Sequence, residues 1–228
     1  MHFSFITPTP GQERQAAHEW MRGAYEQHQW LWRFFPAPPG TPRSFLFRRR
    51  DAGGLPSYYV VSEAAPLSPS PCWHISSKAY APVLAAGDVL NFELRANPVV
   101  TTRSASGKAA RHDVVMQEKT RLLRERGLAR WADWTTPERP ALRELVQGCA
   151  TAWLQARCAR LGIELDATAL RAEGYEQQRG KGGELRLSTV DFNGRLRVLQ
   201  PDALRQAMLS GVGHGKAFGC GLLLVRPA

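Results

Sequence analysis

No stretch of the 228 residues approaches the ~20 consecutive apolar positions of a membrane-spanning helix, so no span is expected. Cysteine is scarce and scattered: Cys72, Cys149, Cys158 and Cys220 form no Cys-x-x-Cys and stand near no histidine pair at ligand spacing. That removes a disulfide framework and a zinc ribbon, and leaves reduced, mostly buried thiols as the expectation. Met1-His2-Phe3-Ser4-Phe5-Ile6-Thr7-Pro8 has neither a charged leader nor a long apolar segment, so it reads as a first strand rather than a signal peptide, and a cytoplasmic address is expected. Acidic residues are in deficit, twenty Asp and Glu against thirty Lys and Arg, for a net charge of +10 and a pI near 10.0. This balance points to a polyanionic partner. By itself it does not separate RNA from DNA or from an anionic membrane, although the missing apolar run makes a membrane the weaker choice.

Clustered carboxylates of the kind that hold catalytic metal ions are missing too. His18-Glu19 begins like a zinc-protease motif, but Arg22 stands where the second histidine belongs. Neither a metal nor any other cofactor is expected.

What is present is enough chain for one compact domain or two small ones of about 100 residues each. Residues 2–7 alternate and close at Pro8-Thr9-Pro10-Gly11. Ala17, Trp20, Met21, Ala24, Leu31 and Phe35 then recur at helical spacing, with Gly23 splitting the run so that a helix starts near Ala24. Pro36 to Pro42 ends it. Two strands follow, Ser44–Arg48 and Tyr58–Ser62, with Arg48-Arg49-Arg50 expected at the hairpin tip, either solvated or facing phosphate. After the proline-rich connection Pro66–Pro71, a short strand at Trp73–Ser76 completes a looser first set of elements.

A second set begins after Gly87. Asp88–Thr102 reads as a long strand, 102–111 as a basic loop, Val114–Arg126 as a short helix and Pro140–Leu161 as a longer one stopped by Gly162. An extended run to Gln178, a basic glycine turn at 179–183 and the alternating Leu185, Leu187, Thr189 and Asp191 follow, with Asn193-Gly194 read as a hairpin turn. A helix from Pro201 to Leu209 and a last strand, Leu222–Val225, complete the order βαββαβ of a ferredoxin-like domain.

Two local patterns carry the chemistry. Between Gly211 and Gly221 five residues are glycine, with Lys216 among them. It is either a sharp loop entering a buried strand or a nest-like anion site: no Gly-Lys-Ser/Thr follows at Walker spacing, and a strand rather than a helix comes next, which excludes a dinucleotide fingerprint. In the first helix Tyr25, His28 and Trp32 fall at i, i+3 and i+7 and share one stripe. A histidine there is either a satisfied core residue or a ring held on an apolar wall with one edge toward a cleft.

The glycine run reads Gly-hydrophobic-Gly, five residues, Gly-hydrophobic-Gly. Together with Tyr25-Glu26-Gln27-His28 and Leu94-Arg95-Ala96-Asn97-Pro98, it resembles the CRISPR-associated RAMP superfamily, and within it the type I-E CRISPR RNA endonucleases. Trp131-Ala132-Asp133-Trp134 departs from that pattern as an extra segment. The resemblance implies an α+β fold of two tandem ferredoxin-like (βαββαβ, RRM-like) domains, placed here at 1–87 and 88–228. It implies a metal-independent endoribonuclease that cuts CRISPR precursor RNA within the repeat hairpin and stays bound as a subunit of a Cascade-type surveillance complex.

In that reading His28 is the general acid/base. Tyr25 lines the same site and positions or protonates an oxygen, and Lys216 stabilises charge on the phosphate. The ribose 2′-hydroxyl attacks the adjacent phosphate, leaving a 2′,3′-cyclic phosphate and a 5′-hydroxyl. Candidates for contact with the hairpin are Arg103, Lys108 and Arg111 on one loop, Arg179, Lys181 and Arg186 on another, and Gly213, His214 and Gly215 in the glycine run. His214 is also the rival for a chemical role, and His112 is structural or RNA-facing. A non-catalytic RAMP subunit that caps a guide RNA remains the alternative, and an unrelated module of paired βαββαβ folds the third.

Overall fold

The computed structural model describes residues 1–20, 24–52, 54–103, 107, 109–179 and 186–228, with backbone alone at 24–26, 52, 103, 179 and 186. Packing divides the chain into two compact units, 1–84 with 205–224, and 85–204 with 225–228.

The first unit opens with strand β1 (His2–Pro8), helix α1 (Glu13–Glu19) and helix α2 (Ala24–Trp32). Strands β2 (Phe45–Ala52), β3 (Leu55–Ser62) and β4 (Trp73–Ala79) follow. They form one antiparallel sheet in the order β2-β3-β1-β4, which is the strand order of a ferredoxin-like domain. Helix α2 and the turn after it bring Trp30, Leu31, Phe34 and Phe35 onto the sheet, where Ile6, Phe47, Tyr58 and Trp73 complete the core. Trp30 is central, its ring 4.6 Å from Trp73, 4.8 Å from Phe34 and 5.2 Å from Tyr58. Where a second helix stands in the regular fold, the proline-rich stretch after β3 is tied down instead by Leu67 N–H donating to Phe34 O at 2.9 Å.

The three arginines are not at a hairpin tip. Arg48, Arg49 and Arg50 lie within β2, opposite Tyr59, Tyr58 and Ser57. Two of their guanidinium groups have aromatic partners: Arg49 lies over Trp20 at 4.6 Å and Arg50 over Tyr59 at 5.9 Å. Arg48 is buried and ring faces flank the other two, so the strand runs on to Ala52.

The second repeat starts at strand β5 (Val89–Ala96) and breaks at Asn97-Pro98 into strand β6 (Val99–Arg103), which pairs with β7 (Ala109–Asp113). Asp113 caps helix α3 (Val114–Glu125), its Oδ1 accepting from Val115 N at 2.7 Å and Met116 N at 2.9 Å. The extra segment packs beside this helix through cations on rings, Arg126 at 4.1 Å over Trp134 and Lys119 at 5.3 Å over Trp131.

The helical stretch expected from Pro140 to Leu161 is two helices, α4 (Leu142–Gln155), capped at Ala156, and α5 (Cys158–Leu161), which ends at Gly162, whose φ of 67° makes the left-handed stop. Strands β8 (Ile163–Leu165), β9 (Arg171–Arg179) and β10 (Arg186–Val198), helix α6 (Pro201–Ser210) and strand β11 (Leu223–Pro227) complete the repeat. The sheet order is β11-β5-β10, with β9 and β8 both running along β10. The fold is thus α+β, two ferredoxin-like repeats in tandem.

Asn193-Gly194 does not turn. Strand β10 passes straight through it, Asn193 opposite Glu93 and Gly194 opposite Phe92. The glycine is there for space: a Cβ would lie 3.1 Å from a ring carbon of Phe92 and 3.2 Å from Leu170 Cα. Among the described residues no helix is long and apolar enough to cross a membrane.

Candidate active site

Helix α2 presents His28 and Trp32 one turn apart, so the side chains meet. The indole Nε1–H of Trp32 donates to His28 Nε2 at 3.2 Å, with the rings edge to face at 73°. A nitrogen that accepts carries no proton, so the imidazole is neutral and its proton sits on Nδ1. That Nδ1 is buried and has no acceptor among the described residues. Burial, and second the positive charge of Arg43, hold His28 below the ordinary histidine range. The ring is half-buried.

The wall behind it is aromatic. Trp32 stands edge-on to Phe45 at 5.2 Å, Phe35 stacks on Phe45 at 4.5 Å, and Arg43 reaches over the same ring at 6.0 Å. In the sequence Trp32 is visible only as a member of the stripe; in the structure it fixes the tautomer of His28. Arg43, directly after the Pro36–Pro42 stretch, carries no sequence signal at all. The side chain of Tyr25 lies outside the described residues.

A short 3-10 turn, Lys216–Phe218, packs against α2 and against β2. It belongs to the glycine run, in which Gly211, Gly213, Gly215, Gly219 and Gly221 all have φ between 76° and 92°. Two of these positions show why glycine is required. A Cβ on Gly211 would sit 2.9 Å from a methyl of Leu46, and one on Gly221 would sit 2.9 Å from Val212 O.

The N–H groups of Gly211, Val212, Phe218 and Cys220 are used within the chain, bonded to Ala207, Gly221 and, for the last two, Gly215. Residues 213–217 lie between these anchored points and form the tip of the run. Lys216 Nζ donates to Ser210 O at 2.6 Å, tying the turn to the end of α6, and His214 is exposed.

Of the basic candidates, Arg111 is exposed on β7 opposite Thr101, and His112 is exposed beside it opposite Val100. The backbone of Arg103 pairs with Ala109 at the open end of the same hairpin, and Arg179 pairs with Arg186 at the end of β9–β10. Lys108, Lys181 and the side chains of Arg103, Arg179 and Arg186 lie outside the described residues. Among the described residues no three His, Cys, Asp or Glu side chains are grouped as a cation needs. Glu19 of the His18-Glu19 pair is occupied by Ser70 at 3.0 Å and Arg33 at 3.7 Å.

A neutral histidine on helix α2 of one ferredoxin-like repeat, with that helix packed against the five-glycine turn that closes the other, defines the class: a tandem ferredoxin-like protein with a candidate histidine site. The chain belongs to the CRISPR-associated protein family, whose model matches residues 1–227. It is 29% identical over 213 residues to the CRISPR system Cascade subunit CasE of Escherichia coli K12, covering 92% of this chain and 96% of that protein. It is 28% identical over 227 residues to the CRISPR-associated endoribonuclease Cse3 of Thermus thermophilus, covering 93% and 94%. Among solved structures, CRISPR endoribonuclease Cse3 bound to a 19-nucleotide RNA superposes with a TM-score of 0.68 at 24% identity, covering 99% of this chain and 98% of that one. Cas6e of Escherichia coli K-12 superposes with a TM-score of 0.62 at 23% identity, covering both chains completely.

Proposed function

We propose that this protein is the endoribonuclease that cuts CRISPR precursor RNA within the repeat hairpin, and that it remains with the product as a subunit of a Cascade-type surveillance complex in the cytoplasm. The observation that carries the reading is His28: neutral, oriented by Trp32, half-buried on a helix that packs against the glycine turn. The proposed division of labour puts the catalytic histidine in the N-terminal repeat, 1–87. The basic loops and glycine run, in the C-terminal repeat, 88–228, hold RNA.

In this mechanism His28 is the base. Its pKa is depressed, so at neutral pH the lone pair on Nε2 is available, and the long, neutral bond from Trp32 is worth only about 0.5–1.5 kcal/mol. The 2′-hydroxyl of the ribose takes the place of the indole N–H and loses its proton to Nε2 as its oxygen bonds to phosphorus. The bond to the 5′ oxygen breaks, and that oxygen must gain a proton, for which Tyr25 is the candidate. Lys216 and the backbone of 213–217, which includes Gly213, His214 and Gly215, face the phosphate. The stem is held along its backbone by Arg103, Lys108 and Arg111 and by Arg179, Lys181 and Arg186.

Pure protein incubated with labelled cognate repeat RNA tests this. A single cut at the base of the hairpin is expected, with a 2′,3′-cyclic phosphate end, unaffected by EDTA and lost in His28→Ala while hairpin binding stays nearly intact. Binding with no cut by the wild type assigns the protein to the non-catalytic capping role instead, and full activity in His28→Ala removes that residue from the chemistry.

A further inference from the structure

We propose that Arg43 is a catalytic residue, whose guanidinium clamps the non-bridging oxygens of the scissile phosphate next to His28 and stabilises the charge that builds on them during cleavage. This rests on the endoribonuclease reading above and adds a group to it.

Four observations lead here. First, position: Arg43 shortly precedes β2, and its guanidinium lies over Phe45, whose ring meets Trp32 edge to face, which in turn holds His28. Second, Arg43 lacks an anion. The arginines at 49, 95, 121 and 130 are hydrogen-bonded to carboxylates, whereas Arg43, half-buried, makes no hydrogen bond or ion pair among the described residues. Its Nε is buried with nothing among them to receive it. A half-buried cation with no anion is partly stripped of water, and it gains when an anion arrives.

Third, His28 Nδ1 is a further buried donor without an acceptor among the described residues on the same aromatic wall, as are the indole Nε1 groups of Trp30 and Trp73 in the core. The half-exposed guanidinium on that wall suits a ligand made of acceptors, such as a phosphodiester. Fourth, the positive charge of Arg43 is felt at the imidazole, where it favours the neutral form that acts as base.

The chemistry needs such a group. As the 2′ oxygen bonds to phosphorus and the bond to the 5′ oxygen breaks, one proton leaves the first oxygen and one arrives at the second. No water is consumed and nothing is oxidised or reduced. Negative charge meanwhile grows on the two non-bridging oxygens of the five-coordinate transition state. A planar guanidinium presents two parallel N–H groups to two such oxygens, which an ammonium group does not.

The test compares wild type, His28→Ala, Arg43→Met and Arg43→Lys. Cleavage of cognate repeat hairpin RNA is measured at saturating protein under single turnover, alongside affinity for the same hairpin carrying a 2′-deoxy residue at the cut, and thermal stability. Arg43→Met is expected to slow the single-turnover rate by about 10²–10³-fold. It should change affinity for the uncleavable hairpin by less than about threefold, and melt no lower than wild type, because the variant lacks a half-buried unpaired charge. Arg43→Lys should recover part of the rate. A wild type that makes no cut overturns the nuclease reading and this one with it. If wild type cuts, His28→Ala does not, and Arg43→Met cuts within about threefold of wild type, Arg43 alone is dismissed. A loss confined to affinity, or one accompanied by a matching fall in melting temperature, overturns the assignment as well.

Discussion

Replacing Gly221 with alanine is the sharpest test of how the glycine run is built. Its φ of 92° lies in the region an L-residue avoids, at a cost of about 1–2 kcal/mol. The new Cβ would also stand 2.9 Å from Val212 O and 3.2 Å from Val212 N, both backbone atoms that cannot step aside. Relief requires parting residue 212 from residue 221. That breaks the 2.8 Å bond from Val212 N–H to Gly221 O, worth about 0.5–1.5 kcal/mol. The sum is about 1.5–3.5 kcal/mol, and at about 2–4 °C per kcal/mol for a chain of this size the melting temperature should fall by about 3–14 °C.

Gly40→Ala is the control, since φ there is 83° but nothing lies within 4 Å of its Cβ position. It should show the backbone cost alone. Thermal denaturation followed by circular dichroism compares the two. Because the same loop carries Lys216 and packs on α2, RNA cleavage at a temperature where the variant is folded should also slow. Equal losses from Gly221→Ala and Gly40→Ala would refute the close-approach reasoning, leaving only positive φ as the reason for glycine.

The depressed pKa of His28 fixes the sign of its pH dependence. A base whose proton leaves early is active early, so the acid limb of the single-turnover rate should have its midpoint below the ordinary ~6.5, and a midpoint at or above that value removes the neutral base. The same shift acts on stability. The unfolded chain binds the proton first, so stability is lost as pH falls from ~6.5 toward the lower folded value, and His28→Gln should gain on wild type in melting temperature over that window. Trp32→Phe keeps a ring against Phe45 but removes the donor to Nε2; the pKa of His28 should rise, shifting the acid limb upward, and an unmoved limb shows that the indole does not set the tautomer. Gly194→Ala should destabilise by about 1–3 kcal/mol through contact with Phe92 and Leu170 in the middle of β10, measured by denaturant titration, whereas a neutral result would return that position to an open turn.

Much of the fold is legible because punctuation marks it. Pro36–Pro42 closes the helical stretch, and Gly162 stops α5 with a positive φ. Prolines and stop glycines act through local backbone geometry that travels with the residue type. The misreadings occur where packing overrides local preference. Asn-Gly is a turn signal only if nothing presses on the glycine; against Phe92 and Leu170 it serves as a gap in the face of a strand. Three consecutive arginines read as a hairpin tip until Trp20 and Tyr59 supply faces for two of them, and the ring of Trp20 arrives from the end of α1, a contact no short window along the chain contains.

The site divides along the same line. By spacing His28 looks no different from a core histidine, and only the resemblance carried by the glycine run and Tyr25–His28 singles it out. Arg43 is invisible for a deeper reason: a lone arginine after a proline-rich stretch is ordinary in sequence and becomes unusual only when it is half-buried with no anion. Missing partners, unlike motifs, exist only in three dimensions. An arginine without an anion, joined to His28 through the rings of Phe45 and Trp32, stands half-buried on one wall, and a site that acts on phosphodiesters gains from leaving it unpaired until the RNA arrives.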